Sequence, residues 1–254
     1  MNSNASIKLQ TPRLLRSLLG AAMLVAGMGL VTTTASASVL LSGSVGGVPS
    51  GADHYETFDS IADGTSTTTA LPSGLTVSFA PDGKAVQGTT GQYAAPVLSS
   101  GNGANFGGQP DGTDTTTYLT SGGPNGSTTL TFATAQRYLG LLWGSVDGYN
   151  NLEFFSGGTS VASFWGAAVT AVAGAGNCVN GNQTTIGTCY VNINFLQGSF
   201  DRVVATSGSY AFEFDNVAFS SAPIGVPEPG ILGMFGVGLL LVGSTYRFKA
   251  RKQG

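Results

Sequence analysis

Tyr190-Val-Asn-Ile-Asn-Phe195 and Tyr210-Ala-Phe-Glu-Phe-Asp215 decide the fold class. In the first, Val191, Ile193 and Phe195 fall on one face, with Asn192 and Asn194 on the other. In the second, Tyr210, Phe212 and Phe214 oppose Glu213 and Asp215. Period-two alternation is the mark of a half-buried strand. Leu75-Thr-Val-Ser-Phe79 and Leu130-Thr-Phe132 repeat it, and residues 137–146, 151–155, 160–165 and 200–205 add further short strands. Gly, Asn and Pro clusters separate these segments, and none carries a convincing helical period. The pattern predicts an all-β chain folded as a β-sandwich of jelly-roll, lectin-like type. Residues 45–126 are less regular; Gly101-Asn-Gly-Ala-Asn-Phe-Gly-Gly108 and Asp111-Gly-Thr-Asp-Thr-Thr-Thr117 read as long surface loops.

The two ends of the chain have a different character. Lys8, Arg13 and Arg16 precede an apolar run over 14–31, and Ala35-Ser36-Ala37 supplies small residues for cleavage. That order is a secretory signal peptide, so residues 1–37 are expected to be removed after Ala37 on passage through the Sec translocon. At the other end, Val226-Pro-Glu-Pro-Gly230 leads into an apolar Gly-rich stretch over 231–246 and a tail bearing Arg247, Lys249, Arg251 and Lys252. The stretch is shorter than the roughly 20 residues of a comfortable membrane helix, and the basic tail is expected to stay cytoplasmic. An ordinary membrane anchor would have no need of two prolines bracketing an acid at that boundary.

With the ends set aside, residues 38–226 hold three bases, Lys84, Arg137 and Arg202, against twelve acids, a formal charge of −9. Phosphate binding needs clustered Lys and Arg, so nucleic acid is excluded as a partner class. Charge density is low for an intracellular protein, while Trp143, Trp165 and many Phe, Tyr and Val residues argue against disorder. The only two cysteines, Cys178 and Cys189, lie in the exported part and are expected to form one structural disulfide closing a hairpin-like loop. Zinc would need more ligands than these two and the distant His54.

Motif, apolar helix and basic tail, in that order at the chain end, resemble the PEP-CTERM sorting signal. That resemblance implies processing at Val226, Pro227, Glu228 and Pro229 by an exosortase, a membrane protease or transpeptidase of Gram-negative bacteria that make extracellular polysaccharide. Three core segments also resemble one group of PEP-CTERM surface proteins: Tyr55-Glu-Thr-Phe-Asp-Ser60, the run from Arg137 to Asp147, and Ala211-Phe-Glu-Phe-Asp-Asn-Val-Ala-Phe219. The implied organisation is a signal peptide over 1–37, an extracellular sandwich over 38–222 and a sorting signal over 223–254. The implied role is a non-catalytic structural or adhesive protein of the cell surface or exopolysaccharide matrix, held only transiently at the inner membrane.

Catalysis has little support in the residues. A nucleophilic triad would have to use His54, the single histidine, and no nucleophile elbow is present. A secreted glycoside hydrolase, working through paired carboxylates, is the third reading. Carbohydrate binding is the second, with Trp165, Tyr149 and Asn150 as stacking and hydrogen-bonding candidates; Trp143, inside an apolar run, reads as core. Calcium is the one candidate cofactor, since hard cations take carboxylate and amide oxygens. Asp53 with Asp59, Asp111 with Asp114, and Asp215 with Asn216 offer them, the last pair favoured by the likeness of Phe-Asp-Asn-Val to a final jelly-roll strand.

The intact mass of the protein recovered outside its host cell, with terminal peptides, tests the two end signals. The expected chain starts at Ser38 and ends near Pro227-Glu228-Pro229. Recovery of residues 231–254 would make the C-terminus a permanent anchor.

Overall fold

The computed structural model describes residues 38–49 and 51–225. Ala35, Ala37, the motif at Val226, Pro227, Glu228 and Pro229, and the expected helix over 231–246 lie outside the described residues. Among the described residues, no helix is long and apolar enough to cross a membrane.

Strands dominate. In chain order they are β1 (Val39–Ser44), β2 (His54–Glu56), β3 (Thr69–Ala70), β4 (Leu75–Phe79), β5 (Lys84–Val86), β6 (Val97–Leu98), β7 (Gly112–Thr113) and β8 (Tyr118–Thr120). The second half supplies β9 (Ser127–Gln136), β10 (Tyr138–Gly144), β11 (Asn150–Ser156), β12 (Thr159–Trp165), β13 (Cys189–Phe195), β14 (Phe200–Ser207) and β15 (Glu213–Ser220). The first sheet runs β1-β13-β10-β15-β8-β5, with β2 also on β15; the second runs β12-β11-β14-β9-β4-β3. All pairings are antiparallel.

The sheets meet face to face. Leu139, Leu141, Trp143, Val191, Ile193 and Phe195 of the first share one core with Leu75, Val77, Leu130, Leu152, Phe154 and Val203 of the second. Ring pairs cross the interface, Phe154 to Phe195 at 5.4 Å and Phe132 to Phe219 at 5.1 Å between centroids. The alternation in 190–195 is therefore a packing pattern, as expected. Trp143 is fully buried and stacks on Phe212.

The expected one-sided burial holds for the second sheet, where Arg202 lies over the Phe155 ring on the outer face. It fails for the first, in which β10 and β15 are buried along their whole length. The irregular segment expected to form surface loops covers that outer face. Leu98 and Phe106 pack there on Tyr138, Leu142, Tyr190 and Ala218, while Val86, Ala95 and Tyr118 form a second small cluster. β6 and β7 pair within this cover as a sheet of their own. The apolar anchors are too few and too far apart in sequence to show a period, so the cover reads as loop.

Further corrections concern local structure. The strand expected over 210–215 starts at Glu213; Tyr210 lies in the preceding loop and is 44% exposed. Within β15 the register slips at Asn216, which has φ 51°. Phe212 and Phe214 face the main core before the slip and Val217 and Phe219 after it. The bulge turns Asp215 and Asn216 together toward the cover, since an extra residue re-aims the side chains around it.

A helix, α1 (Gly166–Ala173), also forms where none was expected. Its alanines favour helix, and Val169, the only large apolar residue buried in it, gives no readable period.

Cys178 and Cys189 are bonded, as expected, and both are buried in the main core. The bridged segment is not a hairpin: Cys178 lies in the loop after α1, Cys189 opens β13, and a 3-10 turn at Thr185–Gly187 falls between them. Replacing both cysteines by alanine should lower stability to denaturant by about 3 kcal/mol, as the chain-entropy model gives for so short a loop. An unchanged urea midpoint would show that the bridge adds nothing to the packed loop.

Candidate functional site

One end of the sandwich gathers four loops around a polar cleft of about 130 Å³. Ser145, Asp147 and Tyr149 come from the β10–β11 connection, and Tyr210 and Ala211 from the β14–β15 connection. Thr90 to Tyr93 come from the cover, Gly181 and Gln183 from the disulfide loop, and Glu213 from the first position of β15. The volume is small beside the roughly 300–1,000 Å³ of most small-molecule pockets. It suits one ring or the end of a chain.

Backbone bonds hold the loops together. Val146 N donates to Gly187 O at 2.9 Å and Gly181 N to Val146 O at 3.1 Å, tying the β10–β11 connection to the disulfide loop. Gly148 N donates to Asn180 Oδ1 at 2.6 Å, and Gly208 N to Tyr149 O at 3.1 Å. The Tyr210 ring rests against Gly123, where a Cβ would come within 2.9 Å of it. Only glycine lets the ring lie that close.

The acids of the cleft are shifted upward. Glu213 is 2% exposed; burial raises its pKa to about 8, opposed by the Ala94 N–H that donates to Oε1 at 2.9 Å. Its other oxygen, Oε2, is sealed from solvent and has no hydrogen-bond partner. Burial also raises Asp147, against hydrogen bonding from Tyr149 and Ser145. Burial first, then the nearby Asp147 carboxylate, pushes the Tyr149 hydroxyl up to about 12. The single proton of that hydroxyl lies between Asp147 and Tyr210 O, the latter 3.4 Å away. Near neutral pH the cleft therefore combines hydroxyls, amides and an acid that keeps its proton.

No family model and no curated protein matches the chain.

Of the sugar-binding candidates, Tyr149 lines the cleft and is 38% exposed. Asn150 does not join it: the side chain is fully buried, and its Oδ1 accepts from Ser207 Oγ at 2.7 Å. As the first residue of β11, it alternates inward next to outward Tyr149. Trp165 is 53% exposed at the end of β12 and is not among the cleft residues. His54 stacks on Phe219, with ring centroids 4.8 Å apart. Among the calcium candidates, Asp53 accepts from Ser220 and Ser221 and Asp111 from Gly101 N, which accounts for them as loop ties. Asp215 and Asn216 are buried beneath the cover.

Sequence reasoning missed Asp147, Glu213, Tyr93 and Tyr210 as one group. Glu213 counted there as an exposed polar face, because alternation cannot reveal a second covering layer.

Glu213 carries a pH consequence with a definite sign. Its folded pKa of about 8 stands above the ordinary glutamate value of 4.5, so the folded state binds the proton more tightly than the unfolded one. Stability from this group is fully present below about 4.5 and is lost as pH rises toward about 8. Thermal unfolding of wild type and Glu213→Gln should agree at pH 5 and diverge by pH 8.5, with wild type the less stable. Parallel curves would mean the carboxyl is ionised in the fold at low pH too.

Proposed function

We propose that this chain is an exported, non-catalytic cell-surface protein of the PEP-CTERM class, a jelly-roll sandwich that adheres to matrix polysaccharide through the Tyr149–Asp147 cleft. Export is supported by the signal-peptide pattern, by the start of β1 one residue after the expected new terminus at Ser38, and by the Cys178–Cys189 disulfide, which fits an oxidising compartment. Processing by an exosortase rests on Val226-Pro-Glu-Pro-Gly230 and the basic tail.

The cleft carries the adhesive part of the proposal. Asp147, Ser145, Gln92 and Gln183 offer donors and acceptors to hydroxyl groups, and the partly exposed Tyr149 and Tyr210 belong to the same lining. Sugar recognition combines an apolar ring face with a few placed polar groups. The hydrolase reading fares worse. A general acid must reach the bond it protonates, and Glu213, although it belongs to the cleft lining, keeps Oε2 sealed from solvent.

Binding of the host's own exopolysaccharide to the purified protein tests this reading. Saturable binding is expected, with Tyr149→Ala weakening it roughly tenfold, the loss of about 1.4 kcal/mol of stacking. Trp165→Ala should leave it unchanged. Binding lost only in Trp165→Ala would move the site to the β12 edge, and release of reducing ends would make the protein an enzyme.

A further inference from the structure

The strand registers set the sugar cleft apart from both ends of the described chain. β10 runs from Tyr138 to Gly144, and Gly144 pairs with Glu213 of the cleft lining. Trp143, beside it, pairs with Cys189, where the disulfide loop that also lines the cleft closes. At its other end Tyr138 pairs with Asn194 near the end of β13 and with Ser220 at the end of β15. The length of β10, at about 3.3 Å per residue, puts roughly 20 Å between these two ends of the sheet.

Arg137 stitches the second end together. Its N–H donates to Ser220 O at 2.8 Å, and its carbonyl accepts from Phe195 N at 2.7 Å. Its guanidinium donates to the Phe195 and Leu196 carbonyls. Leu196 N in turn donates to Ser38 O at 2.8 Å, where the described chain starts. After Ser220 the chain crosses to the outer face of β13, and Ile224 N donates to Asn194 Oδ1 at 2.8 Å. Asn194 is also the residue that Leu40 faces across the β1–β13 ladder. The start of the mature domain and its exit at Gly225 are thus neighbours, both at the end of the sandwich away from the cleft.

Only Val226-Pro-Glu-Pro-Gly230 separates Gly225 from the apolar stretch over 231–246. A segment of that length reaches at most about 17 Å when fully extended, and its two prolines restrict it further. With that stretch in a membrane, the Ser38–Gly225 end is held close to the lipid surface and the cleft lies a sandwich length beyond it. Had the chain left beside Glu213 instead, the loop of Asp147 and Tyr149 would press on the membrane.

We propose that the domain takes up matrix polysaccharide while its C-terminus is still anchored, with the cleft presented away from the membrane, so that adhesion does not wait for the cut at the sorting motif. Resting on the adhesive and sorting readings, this fixes how the site is displayed and when it is competent. An uncut signal peptide leaves the display unchanged, because Ser38 sits at the same end.

The test compares the full-length chain in phosphatidylethanolamine–phosphatidylglycerol vesicles with the released protein recovered outside the host cell, using the host's exopolysaccharide as probe. Protein density in the vesicles is kept low, so that multivalent binding adds nothing. The two dissociation constants should agree within roughly twofold, and weakening of the vesicle-held form by about tenfold or more overturns the proposal. Binding by neither form overturns the adhesive reading itself. A second measurement needs no ligand: a dye at Leu196→Cys or at Gln183→Cys, both exposed positions, donating energy to an acceptor-labelled lipid. Transfer should be stronger from position 196. Equal transfer, or stronger transfer from position 183, overturns the display whatever the polysaccharide does.

Discussion

The structure depends on burying the first sheet on both faces. A sandwich needs only its inner faces covered, and the second sheet obeys that rule with a polar outer surface. In the first sheet, β10, β13 and β15 carry Tyr138, Tyr190, Asn192, Asn194, Glu213, Asp215 and Asn216 on the outward side, where water would ordinarily meet them. The cover removes that water, so each polar group must find a partner or become neutral. Several do: Tyr138 Oη donates to Asn192 Oδ1 at 2.6 Å, Tyr190 Oη to Asn216 O at 3.1 Å, and Ile224 N to Asn194 Oδ1 at 2.8 Å. Gly140 makes room for this layer, since a Cβ there would strike the Tyr138 hydroxyl at 2.1 Å and the Tyr190 ring at 2.8 Å.

The groups left over are the chemically informative ones. Glu213, Asp215 and Asn216 keep buried oxygens without partners, and all three belong to the first four residues of β15. Glu213 meets the problem at the loop end, by a raised pKa beside the cleft. Asp215 and Asn216 meet it beneath the cover, next to Asp114. Among the described residues Lys84, Arg137 and Arg202 lie against other groups, so the buried acids are neutralised by protons. The same strand thus borders the polar cleft and carries the acid and amide buried beneath the cover.

Much of the sandwich was legible in sequence. Val191, Ile193 and Phe195 alternate because one face meets the other sheet, and the disulfide followed from two cysteines in a segment expected to be exported. The cleft was legible only at Tyr149. Asn150 reads as a surface amide beside a tyrosine, yet β11 begins there and turns it inward to Ser207. Trp165 looked like a platform and is indeed exposed, but the loops that form the cleft converge elsewhere. Tyr210 read as a core residue because period two was extended past the true start of β15. The change of phase from Phe214 to Val217 was present in the sequence as a sign of the bulge.

Local pattern by itself determined the strand class, the inner faces at 75–79, 130–132 and 190–195, the pairing of the cysteines and the signals expected at the two ends. All of these depend on residues near one another in the chain, or on elimination within a small set. Only the tertiary structure decided that residues 87–117 cover a sheet, that Glu213 and Asp215 are buried acids, and which loops share a cleft. Periodicity records that the two faces of a strand differ. It holds no information about what comes to lie on the second face, because that contact is made by segments up to a hundred residues away whose few apolar anchors follow no period.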